Sequence, residues 1–228
     1  MPLTGFSRRQ VGSHSQRRNA GLAMLLLAAV LVPGCAVLGL AAYGVGGGTK
    51  TLKVDAQYRG LAGRSVAVVV AADEYVLYEF PNAPLAVGQV VSSELVTHIP
   101  GLRVTDPRQV VDFQRANPYW ATLPYGALVK RLGVERIVYV DLSQYSTHEP
   151  GNASLWQGVI AGGVSVVEAE AADPNNLAFS HAIRAAFPEG REIGVTGADN
   201  QTVEIGVLKT FAKKVAWLFY DHEETVPR

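Results

Sequence analysis

The spacing at which apolar residues recur changes along residues 64–228, and each spacing predicts a strand or a helix. A continuous run of β-branched and small apolar residues, Ser65–Glu74, predicts a strand that is buried on both faces. Apolar residues then recur at helical spacing from Leu85 to Leu95, and Pro100-Gly101 ends that helix. A short strand is predicted next, at Leu102–Thr105.

Two more helices and a longer strand are predicted in the middle of the chain. Asp106 before Pro107 supplies an N-cap carboxylate and a proline at the first helical position, and that helix ends near Asn117. A further helix over Tyr125–Leu132 stops at a glycine. It leads into VERIVYVDLSQYS, in which two alternating apolar rows predict a strand.

The last third of the chain predicts a hairpin and one amphipathic helix. Strands at Trp156–Glu170 and Leu177–Phe187 are joined by Ala172–Asn176, whose composition is typical of a turn. From Asn200 to Tyr220, one apolar stripe with helical spacing predicts a helix that covers the sheet. The stripe consists of Val203, Val207, Leu208, Phe211, Val215, Leu218 and Phe219.

These elements follow the order β-α-β-α-α-β-β-β-α. Parallel βαβ units at the front require right-handed crossovers, and the hairpin adds antiparallel strands at an edge. The predicted fold class is therefore α/β, with a mixed, mostly parallel sheet, an antiparallel hairpin and packed helices.

The first residues are typical of a secreted, lipid-modified protein. Residues 1–34 hold four arginines and no acidic residue, and a short apolar stretch runs from about Leu22 to Val32. Val32-Pro33-Gly34-Cys35 resembles the lipobox of bacterial lipoproteins, in which cleavage precedes a lipid-modified (diacylglyceryl, palmitate-type) cysteine. The predicted organisation is a signal peptide at 1–34, lipidated Cys35 with a flexible tether to residue 63, and one domain at 64–228. An uncleaved membrane anchor over residues 21–48 is the alternative.

Charge and cysteine content argue against several kinds of partner and site. Without residues 1–34, the chain has 16 basic and 20 acidic side chains, a net charge of about −4. The basic residues are scattered, whereas nucleic-acid binding requires clustered lysine and arginine. With Cys35 as the single cysteine, an intrachain disulfide and a cysteine-based zinc site are excluded. No nucleic-acid partner, metal or cofactor is expected.

Two groups of residues are candidates for binding. Asp73 and Glu74 end the first strand and Asp141 lies late in the third, where ligands of open α/β sheets bind. Such carboxylates suit a divalent cation or acid–base chemistry, although acidic residues at strand ends more often face water or cap a helix. The segment NPYWATLPYG contains Trp120 and Tyr125, and aromatic residues are enriched at interface hot spots.

The succession of a tether, the strand SVAVVVAAD and "LVKRLGVERIVYVDLSQYS" resembles a group of small periplasmic lipoproteins. Their domain is like the amino-terminal domain of TolB, and they include penicillin-binding-protein activators and curli-secretion lipoproteins. Val66–Val70 and Gly133–Leu142 occupy the positions of the recognisable strands. The resemblance implies a non-enzymatic lipoprotein of the cell envelope, anchored through Cys35, facing the periplasm and binding a protein partner. The alternative is a cation-dependent enzyme or ligand-binding domain that uses Asp73, Glu74 and Asp141.

Overall fold

The structure, a computed structural model, describes residues 50–149, 151–190 and 196–226. The predicted signal peptide and Cys35 lie outside these residues. The chain divides into two units, of which the larger is Lys53–Glu224. Within the described ranges no helix is long and apolar enough to span a membrane.

The described residues contain seven strands, five α-helices and one 3-10 turn. Their bounds are β1 (Lys50–Val54), β2 (Ser65–Ala72), α1 (Glu74–Glu79), α2 (Ala83–His98), β3 (Arg103–Val104), α3 (Pro107–Ala116), the 3-10 turn (Trp120–Thr122), α4 (Tyr125–Leu132), β4 (Arg136–Glu149), β5 (Asn152–Glu168), β6 (Phe179–Phe187), α5 (Asn200–Trp217) and β7 (His222–Val226).

Five strands form a mixed sheet in the order β3-β2-β4-β5-β6. Strand β2 lies parallel to both neighbours, with Val66 opposite Val104 on one side and Val68 opposite Val138 on the other. Strand β5 runs antiparallel to both of its neighbours, β4 and β6. The predicted fold class, a mixed α/β sheet with an antiparallel hairpin, is confirmed.

Local capping fixes where several helices begin and end. The side chains of Asp73, Asp106 and Asp199 each accept a hydrogen bond from a backbone N–H in the first turn of α1, α3 and α5, respectively. Helix α4 ends at Gly133, whose φ of 65° lies in the left-handed region that favours glycine. The N-cap at Asp106 and the stop at Gly133 were both predicted from the sequence.

Helices cover both faces of the sheet, and each face has its own core. On one face, α2 and α5 pack on alternate valines of β2 and β4, and Phe211 of α5 is fully buried there. On the other face, α3 and α4 pack Val110, Leu128 and Val129 against Ile137 of β4. The apolar stripe predicted for the last helix therefore faces the sheet. The predicted helix was three residues too long, since α5 ends at Trp217.

Three features of the fold differ from the pattern predicted by the sequence. The single helix expected after β2 is two helices, α1 and α2, with Pro81-Asn82 between them. Strands β1 and β7 were not predicted, and they form a separate two-stranded sheet. Strand β1 and Leu61, which is only 1% exposed, lie in the stretch predicted as a tether, so part of that stretch is structured.

A buried arginine joins the start of β4 to residues before β2. Arg136 is 4% exposed, and its guanidinium forms an ion pair with both carboxylate oxygens of Glu170. Its Nε donates to the Tyr58 hydroxyl at 3.2 Å, and that hydroxyl donates to Glu168. Burial, together with the bond to Glu168, raises the pKa of Tyr58 to about 12. The pairing compensates the buried positive charge.

Beside this arginine, Glu135 fixes the start of β2. Its carboxylate accepts hydrogen bonds from the backbone N–H and the hydroxyl of Ser65, at 2.8 and 3.0 Å, and from Arg64 at 2.8 Å. The N–H of Ser65 first, and then Arg64, lower the pKa of Glu135 to about 2.

Candidate functional site

The sheet changes its winding direction at β2, and a cavity opens at that point. The chain leaves β2 through α2 to reach β3 on one side, then crosses through α3 and α4 to β4 on the other side. In open α/β sheets, ligands bind in the crevice outside the carboxyl ends of the strands at such a point. Here a cavity of about 340 Å³ is lined by Val70–Ala72, the carboxyl end of β2. We call it the strand-end crevice.

The lining of the strand-end crevice is mostly apolar, with a few polar groups. Leu77, Leu85, Val111 and Trp120 contribute apolar surface, and Arg115 lies at the exposed side. Gln114 is held in place, because its side-chain N–H donates to the carbonyl oxygen of Val70 at 2.9 Å. An apolar pocket with a few oriented polar groups is the usual composition of a binding site for a small molecule or a peptide side chain.

The two aromatic residues predicted as binding candidates lie in different environments. Trp120 begins the 3-10 turn, lines the strand-end crevice and packs with its ring centroid 6.3 Å from that of Tyr139. Tyr125 begins α4, and its ring meets Tyr139 edge-on at 5.7 Å. Burial raises the pKa of Tyr139 to about 12. Trp120 thus combines a packing role with a place in the crevice, whereas Tyr125 is not among the crevice residues.

The three candidate carboxylates are not among the residues that line the crevice. Asp73 caps α1, since its Oδ1 accepts a hydrogen bond from the backbone N–H of Val76 at 2.8 Å. Glu74 lies exposed in the first turn of the same helix, and Asp141 lies exposed on β4. In the part of the chain that the structure describes, no three His, Cys, Asp or Glu residues come together as a possible metal site. A role of these carboxylates in ligand binding stays a prediction.

Four large apolar side chains are exposed on segments that flank the strand-end crevice. Tyr75 is 69% exposed, Leu77 42% and Tyr78 83% on α1, and Tyr119 is 81% exposed directly before Trp120. We call these four residues the aromatic rim. Tyr119 lies in the aromatic segment NPYWATLPYG that the sequence analysis selected for binding. Helix α1 and its exposed side chains were not predicted. Of its sequence EYVLYE, only Val76 is buried.

Comparisons with known proteins give structural likenesses of low sequence identity. No protein-family model matches this chain, and no curated protein matches it in sequence. A dodecamer of PelC from Paraburkholderia phytofirmans is similar over 75% of this chain and 98% of its own, at 9% identity and a TM-score of 0.45. The lipoprotein GNA1162 from Neisseria meningitidis is similar over 62% of this chain and 90% of its own, at 13% identity and a TM-score of 0.37.

A third structure, the hypothetical protein CT253 from Chlamydia trachomatis, is similar over 54% of this chain and 71% of its own, at 16% identity and a TM-score of 0.33. We attach no function to likenesses of this degree. The resemblance to the TolB-like lipoproteins stays a prediction.

Proposed function

We propose that this chain is a lipid-anchored protein of a bacterial cell envelope whose domain binds a partner protein and turns over no substrate. The observation that carries the proposal is the aromatic rim. The anchor rests on a separate observation, the basic and apolar leader that ends in Val32-Pro33-Gly34-Cys35.

The composition of the aromatic rim favours a protein partner. Tyrosine is enriched at the residues that contribute most to protein–protein binding, because it combines a large apolar area with a polar hydroxyl. Tyr78 and Tyr119 expose more than four fifths of their surface, so a partner would bury most of each ring. Exposed apolar residues that occur singly need no explanation, but four on two segments that contribute to the lining of one crevice favour an interaction site.

The rim is presented on a fixed support, which reduces the entropy lost on binding. Asp73 caps the start of α1, and Val76 anchors the helix in the core at 1% exposure. At the other end of α1, the ring of Phe80 packs on Tyr145 with centroids 4.5 Å apart. Tyr75 and Tyr78 are therefore displayed outward by a helix that is fastened at both ends.

Substitution of the rim tests the partner-binding role. We expect the protein, extracted from membranes in detergent, to co-sediment with a second protein in a complex larger than the detergent-bound lipoprotein alone. Tyr78→Ser combined with Tyr119→Ser removes two exposed rings, so the melting temperature should stay close to that of the wild type. The complex should be lost.

Ile205→Ser is the matched control, since Ile205 is 45% exposed on α5 and does not belong to the rim. A complex that survives the double substitution, or that the control disrupts equally, would contradict the proposal.

The lipid anchor has its own test. Mass analysis of the membrane-extracted protein should show a chain that begins at acylated Cys35, and Cys35→Ala should block processing. Release of an unmodified, soluble form of the wild-type protein would exclude the anchor.

The strand-end crevice supports a second candidate, a ligand-binding function. Its position at the winding switch and its lining by Trp120 and Arg115 suit a small molecule. This candidate differs from the cation-dependent enzyme expected as the alternative, because Asp73, Glu74 and Asp141 do not line the crevice. A ligand of the crevice would be expected to quench Trp120 fluorescence, and Trp120→Phe would remove that signal.

A further inference from the structure

A second cleft lies away from the strand-end crevice, where the far end of β4 meets α1. Its volume is about 600 Å³, and its floor is the segment Ser143–Glu149 of β4. Helix α1 contributes Tyr75 and Glu79 to one side, and Phe80 follows them. Strand β4 extends beyond β2 at this end, and α1 packs on it there. We call this site the hairpin cleft.

Two side chains in the hairpin cleft have polar atoms that form no hydrogen bond with the part of the chain that the structure describes. Ser146 and Glu149 both line the cleft, and the hydroxyl of Ser146 and the Oε2 of Glu149 are buried. Neither atom has a hydrogen-bond partner among the described residues. Buried polar atoms in folded proteins are nearly always paired, and an unpaired one destabilises the fold. A carboxylate oxygen can only accept, so what is missing at Glu149 is a donor.

The charges around the cleft also favour a donor that is positively charged. Among the described residues that line it, Glu79 and Glu149 are acidic, none is lysine or arginine, and the one histidine, His148, packs on Trp156 with ring centroids 4.0 Å apart. Glu79 is exposed and forms no ion pair with any described residue. Arg184 approaches from β6 and donates to the Gln144 side chain at 2.8 Å, but it is not a lining residue.

Aromatic rings complete the surroundings expected for a cation. Tyr75 presents a ring that is 69% exposed, and Phe80 is fixed against Tyr145 in the wall. A ring face attracts an organic cation within about 6 Å of its centre. The terminal torsion of a glutamate is broad, so rotation of the Glu149 carboxyl group can bring either oxygen to a donor in the cleft.

We propose that the hairpin cleft binds a primary ammonium group on an aliphatic chain, with Glu149 as the hydrogen-bonded counter-charge, Glu79 as a second acidic group at the opening and Tyr75 as the aromatic face. An ammonium has three donors and no acceptor, which suits an acidic cleft with unpaired acceptors. This chemistry occurs in free polyamines and in the lysine side chain of a protein. Tyr75 belongs both to the aromatic rim and to the cleft, but the inference does not depend on partner binding at the rim, because Tyr78 and Tyr119 do not line the cleft.

Calorimetric titration of the full chain in detergent tests the proposal. The probes are cadaverine and spermidine for free polyamines, N-acetyl-lysine amide for a protein side chain, and 1-pentanol as an uncharged chain. We expect saturable binding of the amines that weakens as salt is added, and none of pentanol. Tighter binding of spermidine assigns free polyamines as the ligand class, and tighter binding of the lysine derivative assigns a protein side chain.

Glu149→Gln should weaken the preferred amine about tenfold or more, the usual effect of losing one charge-assisted hydrogen bond. Its melting temperature should not fall, because the variant keeps the size of the side chain and removes a negative charge that no described residue pairs as an ion, so weaker binding is not explained by unfolding. Glu223→Gln is the matched control, an exposed glutamate on β7 outside the cleft.

The absence of saturable amine binding to the wild type would overturn the proposal. Equal binding of pentanol, or equal weakening by Glu149→Gln and Glu223→Gln, would overturn it as well.

Discussion

Two adjacent glycines in β5 differ sharply in the space around them, although both would gain the same methyl group on substitution by alanine. A Cβ atom on Gly162 would overlap the carbonyl oxygen of Asp141 and lie 3.0 Å from its carbonyl carbon and 3.1 Å from the Cα of Leu142. These are backbone atoms of β4 that cannot rotate away. A Cβ atom on Gly163, on the other face of the sheet, would meet no heavy atom within 4 Å.

The size of the effect follows from these distances. Overpacking of an ordered interior costs about 1–3 kcal/mol, and here the strain falls on the pairing of β4 with β5. Gly163→Ala should instead stabilise the protein by roughly 0.5–1 kcal/mol, because alanine loses less backbone entropy in a strand than glycine does. The two variants should therefore differ by about 1.5–4 kcal/mol, or roughly 3–16 °C in melting temperature for a domain of this size.

Thermal unfolding of both full-length variants, followed by circular dichroism, measures this difference directly. The order expected is Gly162→Ala below wild type and Gly163→Ala at or above it. Equal melting temperatures for the two variants, or a larger loss for Gly163→Ala, would show that the register of β4 on β5 is wrong.

Three further perturbations test other parts of the structure. Phe211→Ala should lower the free energy of unfolding by about 3–5 kcal/mol in chemical denaturation. Ile205→Ala, on the exposed side of the same helix, should change it by less than about 1 kcal/mol. Similar losses for the two variants would show that Phe211 does not face the sheet. The lowered pKa of Glu135 stabilises the fold above pH 4.5, and this contribution should be lost as the pH falls from about 4.5 to about 2. The melting temperature of Glu135→Gln should therefore depend less on pH in this range than that of the wild type. An unchanged slope would contradict the hydrogen bonds of Glu135 with Ser65 and Arg64. Magnesium, calcium, manganese or zinc ions should leave the melting temperature unchanged, and a gain that is lost in both Asp73→Asn and Asp141→Asn would establish a cation site.

Local patterns were sufficient to predict most of the sheet and its helices. Strand β2 is buried on both faces, so its unbroken apolar run was informative, and Gly133 marked the end of α4 within one residue. Strands β1 and β7 were missed because they are short, have little apolar alternation and pair across more than 160 residues of chain. The division between α1 and α2 had a signal in Pro81-Asn82, a pair of residues typical of a turn.

The candidate site was only partly predictable, because exposure depends on tertiary packing. Trp120 was identified from an aromatic segment in a predicted loop, and it does line the strand-end crevice. Tyr75 and Tyr78 were not identified from the sequence. A run of apolar and aromatic residues gives no indication of which of its side chains will face solvent. The unpaired atoms of Ser146 and Glu149 depend on the pairing of β4 with β5 and on the position of α1, which the sequence does not show.

Site-specific photo-crosslinking in native membranes tests the partner-binding role most directly. A photoreactive phenylalanine derivative would replace Tyr78, Tyr119 or, as the control, exposed Lys209 of α5. We predict that the two rim positions yield an adduct with one and the same protein, that position 209 yields none, and that this protein, once purified, binds the wild-type chain but not the Tyr78→Ser/Tyr119→Ser variant. Different adducts at the two rim positions, equal labelling from position 209, or undiminished binding of the double variant would contradict a partner surface at the aromatic rim.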